Sequence, residues 1–387
     1  MPDGGEALSV RVIDDLASLD AVAWDACAGA ENPFVGHGFL AALEDSGSVG
    51  GETGWLPRHL LVEDAGGRLL AAAPMYLKGH SYGEYVFDHG WADAYEHAGG
   101  RYYPKLQVAV PFTPVTGPRL LVRPGEAAPL AEEALIAGLE AAARQMGVSS
   151  LHVTFPRAEE ARRLERAGLL VRQGLQFHWT NRGYESFEDF LAALSSRKRK
   201  AVRKERRVVA DSGVTVHALT GDAIRPRHWD AFFAQYVRTS DGKWGYPYLT
   251  RAFFDRIGAL LADRILLIMV EDDGALVAGA LNLIGADTLY GRNWGCLADY
   301  RFLHFEACYY QAIDYAITHR IARVEAGAQG PHKIQRGYLP VPTWSAHWIA
   351  DPRLRDAIAD FLGHERPAVA AEIDALAAHS PYRQGKD

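Results

Sequence analysis

Arg58 to Leu77 reads "RHLLVEDAGGRLLAAAPMYL", and Arg264 to Leu283 reads "RILLIMVEDDGALVAGALNL". Each is a pair of apolar runs separated by Asp and Gly, residues that supply the positive φ a tight hairpin requires. The likeness continues outward. A Trp-Asp pair in a helical pattern stands near the start of each half, Trp24-Asp25 in "AVAWDACA" and Trp229-Asp230 in "RHWDAFFA". Each half also closes alike: Gly168 stands ten residues before His178-Trp179, and Gly337 ten residues before His347-Trp348. A repeat on this scale means one domain fold used twice. Linked copies commonly hold a ligand cleft between them, and a cleft is expected here.

Around the hairpins the other elements recur in one order. Strands are expected at 8–13 and 214–219, helices at 19–28 and 226–238, then at 37–45 and 250–262. After each hairpin come a strand ("KLQVAVPF" or "TLYGRNWG") and a long helix, 127–146 or 302–319. Leu135, Leu139 and Ala142 give the first long helix its apolar spacing; Phe305, Tyr309, Ala312 and Ala316 give the second its own. A buried-type strand ("LHVTF" or "RVEAG") and a last helix-and-strand unit complete each copy. The result is an α/β chain with mixed sheets, divided into a first domain at 1–180, a basic connecting helix at 181–212 and a second domain at 213–387.

The 387 residues suffice for two such domains, each with its own core. No apolar run is long enough to cross a bilayer, and the N-terminus shows no signal peptide. Cys27, Cys296 and Cys308 are widely spaced with no CxxC, which suggests a cytoplasmic protein and no structural metal. The net charge of −7 hides an asymmetry. Segment 197–207, "RKRKAVRKERR", carries +7 and leaves −14 for the remainder. It lies in "SFEDFLAALSSRKRKAVRKERRVV", which reads as one long helix with Phe190, Leu194, Ala201 and Val208 inward and the basic side outward. Such a face is either a solvated connector or a contact for phosphates, tRNA included.

The chain resembles the FemAB-like predicted N-acyltransferases. The matching segments span nearly all of it: "NPFVGHGFLAALE", "YLKGHSYGEYVFDHGWADAYEHAG", "YYPKLQVAVPFTPVTGPRLL", "SSRKRKAVRKER", "YGRNWG", "LHFEACYYQAIDYAI", "GAQGPHKIQRGYLPV" and "SAHWI". The resemblance implies a tandem GNAT-like acyltransferase fold. It further implies transfer of an acyl or aminoacyl group from acyl-CoA or aminoacyl-tRNA to a small-molecule or peptide amine, in a cell-wall context. Pro331 stands in "GAQGPHK" where the family pattern carries an acid. If that acid is the base elsewhere, its role shifts here to Glu306 or Glu325.

Acyl transfer to an amine needs a proton acceptor, donors for the oxyanion and a cradle for carrier phosphates. In GNAT enzymes the cradle is Arg/Gln-x-x-Gly-x-Gly/Ala, between the fourth strand and the next helix. Here "YGRNWGCLADYRFLHFE" offers Arg292, Asn293 and Gly295, with Leu297 in place of the second small residue, followed by Arg301 and His304. Three prolines in "VPFTPVTGPR" make the first half's counterpart a poorer cradle. Glu306 opens the next helix and suits either its dipole or a catalytic base. Tyr309 and Tyr310 are candidate proton donors to a leaving thiolate, or core. The loop "GAQGPHKIQRG" adds Gln329 toward the acceptor, His332 as a catalytic candidate, and Lys333 and Arg336 toward the donor. In the first half, Lys78, Ser81, Glu84, Asp88, Trp91 and Tyr95 form a polar-aromatic set suited to an acceptor sugar or peptide. His178 and His347 hold one place in the repeat and read as structural.

Two other readings stay open: a non-catalytic binder of cell-wall precursor or peptide on this scaffold, and an RNA-binding protein acting through 197–207. GxSxG, HExxH, GxxxxGK[ST] and GxGxxG are absent. If Arg292 contacts a donor phosphate, Arg292→Ala weakens acyl-CoA binding by about 1–3 kcal/mol, the range of a charge-assisted hydrogen bond. Titration calorimetry reads this directly, and unchanged affinity removes Arg292 from the donor site.

Overall fold

Pro74 decides how the first copy of the hairpin differs from the second. In the computed structural model, which describes residues 8–244, 247–327 and 330–383, it separates two strands that pair in different sheets. Proline has no N–H to give to a ladder, so a sheet breaks there readily. The strands of the first half are β1 (Ser9–Ile13), β2 (Trp55–Pro57), β3 (His59–Glu63), β4 (Leu69–Ala73), β5 (Met75–Lys78), β6 (Lys105–Val108), β7 (Leu121–Val122), β8 (Ser150–Thr154) and β9 (Leu170–Thr180). Its helices are α1 (Ala21–Ala28), α2 (His37–Asp45), α3 (His89–His97), α4 (Ala128–Gln145) and α5 (Ala158–Arg166). The second half opens with α6 (Phe187–Ala193) and α7 (Ser196–Ala210), then β10 (Thr215–Thr220), α8 (Pro226–Trp244), α9 (Arg251–Leu260), β11 (Ile265–Asp272), β12 (Ala275–Ile284) and β13 (Thr288–Cys296). It closes with α10 (Leu303–Phe305), α11 (Gln311–Thr318), β14 (Arg323–Glu325), β15 (Leu339–Ile349) and α12 (Pro352–Ala377).

The chain forms two compact units. One runs to Gly174 and takes up again over Pro342–Ala370; the other comprises Leu175–Val341 with the chain from Ala371 on. In the first unit β1, β3, β4 and β7 form one antiparallel sheet, while β15, β8, β6, β5 and β2 form the other run. In the second unit the order is β10-β11-β12-β13-β14-β9. The repeat is visible in the ladders. β1-β3-β4 and β10-β11-β12 are the same antiparallel triplet. The turn of the second hairpin holds both Asp273 and Gly274 at positive φ, as its sequence demands.

The units do not follow the contiguous divisions at 180 and 213. β9 closes the first half of the sequence, but its Trp179 pairs with Val324 of β14. β15 closes the second half, but its His347 pairs with His152 of β8. Segment 181–212 belongs to the second unit. It is two helices: Leu194 is extended, at ψ 153°, and Ser195 begins a new helix. Val202 and Val209 are its inward residues after the break, and Ala201 is exposed, because the break resets the helical phase.

In the first unit, α4 lays Leu135, Leu139 and Ala142 on Leu60 and Val62 of one sheet and Met75, Leu106 and Leu151 of the other. In the second unit Tyr309, Ala312 and Ala316 pack with Phe190, Val202, Ile268 and Trp179. The expected helix at 302–319 is interrupted by a π-helical turn over Glu306–Tyr310, a widening that often marks functional positions. β13 bulges. Leu281 opposes Asn293 and Asn282 opposes Gly291, so Arg292 has no opposite number.

Gly295 is needed for packing. A Cβ there would sit 2.2 Å from the Gln235 carbonyl carbon of α8. Gly295→Ala therefore forces the helix off the sheet, and a loss of about 1–3 kcal/mol is expected in urea unfolding. Gly291→Ala, whose Cβ would meet nothing nearer than 3.3 Å, is the control and should cost less.

Candidate functional site

One face of the β5-β6-β8-β15 run in the first unit is polar and buried. The alternation of each strand sends Leu106, Val108, Leu151 and Val153 to α4. It sends Tyr76, Lys78, Lys105, Gln107, Ser150, His152, Ser345 and His347 to the opposite face, all buried. Lys105, fully enclosed, is the hub. Its Nζ donates to Ser81 Oγ at 2.7 Å, to Glu84 Oε2 at 2.8 Å and to Asp88 Oδ2. Lys78 Nζ sits 3.6 Å over the Trp55 ring and 3.8 Å from Glu84 Oε1. Glu84 Oε1 and Asp88 Oδ1 accept no hydrogen bond within the described residues.

Beyond Asp88 the contacts continue across the polar face. The Tyr102 hydroxyl donates to Asp88 Oδ2 at 2.7 Å. His152 Nε2 lies 2.7 Å from Ser150 Oγ and 3.3 Å from the Tyr102 oxygen. His152 Nδ1 lies 2.6 Å from His347 Nδ1, so one ring donates and the other accepts there, and Ser345 Oγ lies 2.8 Å from His347 Nε2. Both rings are neutral. Burial, with Lys105 adding, pushes His152 down to about 3, and burial holds His347 well below its ordinary value.

The two carboxylates diverge. Burial works against ionised Asp88, but Lys105 outweighs it and holds the carboxyl well below the usual range. Burial lifts Glu84 to about 7, because Lys105 offsets less of it and the Asp88 charge adds to it. Burial also lowers Lys78 to about 7.

In the second unit, two ion pairs tie α7 to the π-helical turn and the loop after β14. Arg206 reaches both oxygens of Glu306, with Nη2 at 3.0 Å, and Gln311 Nε2 donates to the same carboxylate at 2.8 Å. Arg336 spans Glu205, at 2.9 and 3.0 Å, and lies 3.3 Å over the Phe305 ring. Tyr310 donates to Glu205, and Tyr309 meets His332 Nε2 at 3.0 Å. Lys333, buried, caps the Ala326 and Gly327 carbonyls, and burial lowers it to about 8.

The expected residues fall into distinct places. Lys78, Ser81, Glu84 and Asp88 come together around Lys105, and Trp91 stacks edge-on to His347. Tyr95 stands apart, pointing to Asp351. His304, Tyr309, His332 and Arg336 cluster around Phe305. Glu306 turns away to Arg206, which occupies the lone pairs a base would use. Burial raises Tyr309 and Tyr310, so both are neutral phenols. Arg292 and Asn293 lie at the bulge, Gly295 serves packing and Arg301 is exposed over the Phe302 ring. Gln329 lies outside the described residues. The sequence reading missed Lys105, Tyr102 and His152. Their only signal was alternation: Lys105 and Gln107 in "KLQV", and His152 and Thr154 in "LHVT".

A family model described as FemAB-like, peptidoglycan biosynthesis/recognition, matches residues 15–384. Among solved structures, FemX shares 12% identity at a TM-score of 0.56, covering 88% of this chain and 98% of its own. L-PGS from Bacillus licheniformis shares 11% at 0.50, covering 92% and 99%. A tandem GNAT protein from the clavulanic acid biosynthesis pathway shares 13% at 0.46, covering 89% and 99%. Identities this low speak to fold alone: the chain shares the fold of FemX and L-PGS. No curated protein matches the chain.

Lys105→Met strands two buried carboxylates, and a loss of about 3–5 kcal/mol is expected in chemical denaturation. The acid branch follows from the histidines. A depressed folded pKa gives stability that is complete above the unfolded value, near 6.5, and is lost as pH falls toward 3. Glu84 runs the other way, since its raised pKa removes stability as pH climbs from 4.5 to about 7. His152→Gln should therefore flatten the fall in stability below pH 6.5 by about 1.4 kcal/mol per pH unit. Stability measured from pH 7 to 3 checks it; an unchanged slope means His152 is not held neutral.

Proposed function

The chain belongs to the FemAB-like family, whose members are cell-wall-related transferases, and we propose that it transfers an acyl or aminoacyl group to an amine acceptor. The observation that carries this reading is the family match across both units. The acceptor is assigned to the Lys78–Ser81–Glu84–Asp88 set, where buried acceptor oxygens without hydrogen-bond partners suit an ammonium or amine group. The donor is assigned to the second unit, at the β13 bulge and the start of the following helix. Arg292, Asn293, Arg301 and His304 lie there, with Lys333 and Arg336 on the loop after β14. A bulge re-aims a side chain at a strand end, which suits Arg292 to a phosphate.

The mechanism asks three things of these residues. The acceptor amine must be held and deprotonated, its nitrogen must attack the carbonyl carbon of a thioester or ester, and the thiol or ribose hydroxyl must leave. The oxyanion that forms needs hydrogen-bond donors, a role assigned here to the backbone and side chains at the bulge. Transfer of labelled acyl groups from acetyl-CoA, palmitoyl-CoA and alanyl-tRNA to a lysine-containing peptide is the direct test. Peptide binding without transfer from any donor would favour a non-catalytic recognition role on the same scaffold.

A specific feature favours aminoacyl-tRNA among the donors. Arg197, Lys200, Lys204 and Arg207 are exposed and recur at the spacing of one helical face. Arg206 and Arg203, by contrast, are paired to Glu306 and Glu188. Four exposed cations over ten residues span about 15 Å. Phosphate contacts release counterions, so tRNA affinity should fall with salt at a log–log slope near −0.7 per contact for single strands. Reversing Arg197, Lys200 and Arg207 to glutamate should flatten that slope by about 2 while changing stability by no more than about 1 kcal/mol. Salt-independent tRNA binding would leave acyl-CoA as the donor.

A further inference from the structure

We propose that Glu84 is the group that takes the proton from the acceptor amine, with Asp88 kept ionised as the fixed counter-charge of Lys105. This rests on the acyl-transfer reading above. The geometry separates two carboxyls that the sequence does not distinguish. Asp88 Oδ2 receives two donors, the Lys105 ammonium and the Tyr102 hydroxyl. Glu84 receives one, on Oε2; each carboxyl keeps one enclosed oxygen with no hydrogen bond within the described residues, Asp88 Oδ1 and Glu84 Oε1, and the Glu84 oxygen is the one that stands 3.8 Å from the Lys78 ammonium. An enclosed carboxylate oxygen with no donor is costly, and such an atom calls for an explanation. A lone pair left open for an incoming N–H supplies one.

The location agrees. Glu84 is carried on the loop between β5 and α3, whose Tyr82 and Phe87 rings are exposed. It thus stands on an element that reaches the surface, whereas Lys78 and Lys105 stand on strands. Lys78, 3.8 Å from the open oxygen, is the one neighbouring cation that holds no hydrogen bond to a carboxylate; its Nζ donates to the Tyr82 carbonyl at 3.3 Å. An amine entering here finds an acceptor oxygen and a hydrogen-bonded backbone turn. Two carboxyls whose surroundings drive them apart are the usual sign of an acid–base assignment. Burial sets Glu84 near neutrality, where a base works best, and Lys105 sets Asp88 far below it.

The substrate ammonium gives a first proton to Glu84 Oε1, and Glu84 releases it to water. The freed nitrogen lone pair forms the N–C bond at the acyl carbonyl, and the nitrogen then gives its second proton to Glu84. The C–S bond of a thioester or the C–O bond of a ribose ester breaks, and the leaving sulfur or oxygen takes that proton from Glu84, which restores the carboxylate. The net products are the amide, the thiol or hydroxyl, and one proton in water.

The test uses the full chain with acetyl-CoA, palmitoyl-CoA and alanyl-tRNA as separate donors and a lysine-containing peptide as acceptor. Glu84→Gln, shown to be folded by a cooperative melting transition, should lower kcat/KM at pH 7 by about 100-fold or more and abolish the inflection near pH 7. Glu84→Asp should recover part of the rate. Asp88→Asn should move the inflection to lower pH, because the Asp88 charge is one of the forces raising Glu84. Infrared titration of 13C-glutamate-labelled protein, with Glu84→Gln as the blank, reads the same carboxyl without turnover and is expected to show a midpoint near 7. A carboxyl ionised from pH 5 to 9, or wild-type rate and pH profile in Glu84→Gln, overturns the proposal and leaves acyl transfer standing. No transfer by the wild-type chain from any donor overturns the acyl-transfer reading itself.

Discussion

A strand left at the edge of a sheet presents a row of unpaired N–H and C=O groups, and the chain must cover them. Here the closing strand of each sequence half is covered in the unit named for the other half. β9 finds its ladder on β14, and β15 finds its own on β8. That exchange completes the buried polar face of the first unit. It is β15 that brings His347 to His152 and Ser345 to Thr154, and so extends a polar face across four strands. Without it, the His152 ring would end the hydrogen-bond series at an unsatisfied nitrogen.

Buried charge is expensive, and this fold tolerates it in two different ways. Around Arg206–Glu306 and Arg336–Glu205 each carboxylate faces a guanidinium and accepts from a neighbouring donor as well, although Arg336 Nε has no hydrogen-bond partner within the described residues. Such pairs position elements, here α7 against the π-helical turn. Around Lys105 the pairing is incomplete, with two cations, two carboxylates and two open oxygens. Packing alone would favour apolar residues over such a group. The group lies on a sheet face whose reverse side is ordinary apolar core.

The repeat, the hairpins and the long helices were legible because they are local: periodicity, turn residues and helical spacing each act over a few positions. The exchange of β9 and β15 was not, since pairing partners far apart in sequence leave no mark on either strand. For the same reason the sequence read 181–212 as one connector. Leu194 and Ser195 continue a helical pattern, and only the chain's return at Pro381, whose carbonyl accepts from Ser195 N–H, fixes the break. The candidate residues behaved likewise. Lys78, Ser81, Glu84 and Asp88 are near one another in sequence and were found together. Lys105 and His152 arrive on other strands, and a lysine opening a strand looks like solvent contact until the strand is seen to be central. Gly295 was visible as a glycine after an arginine; that a helix backbone occupies its missing Cβ was not.

The two copies have therefore drifted along different physical lines from one ladder. In the first, Pro74 splits the sheet and frees β5 to pair with β6, which creates the place where Lys78 stands beside Lys105. In the second, β12 runs unbroken to Ile284 and the irregularity moves one strand over, to the bulge at Arg292. A proline break and a bulge are two ways to interrupt the hydrogen bonding of a ladder. One exposes a buried face to charged side chains from a neighbouring loop, and the other turns a single arginine out of the ladder.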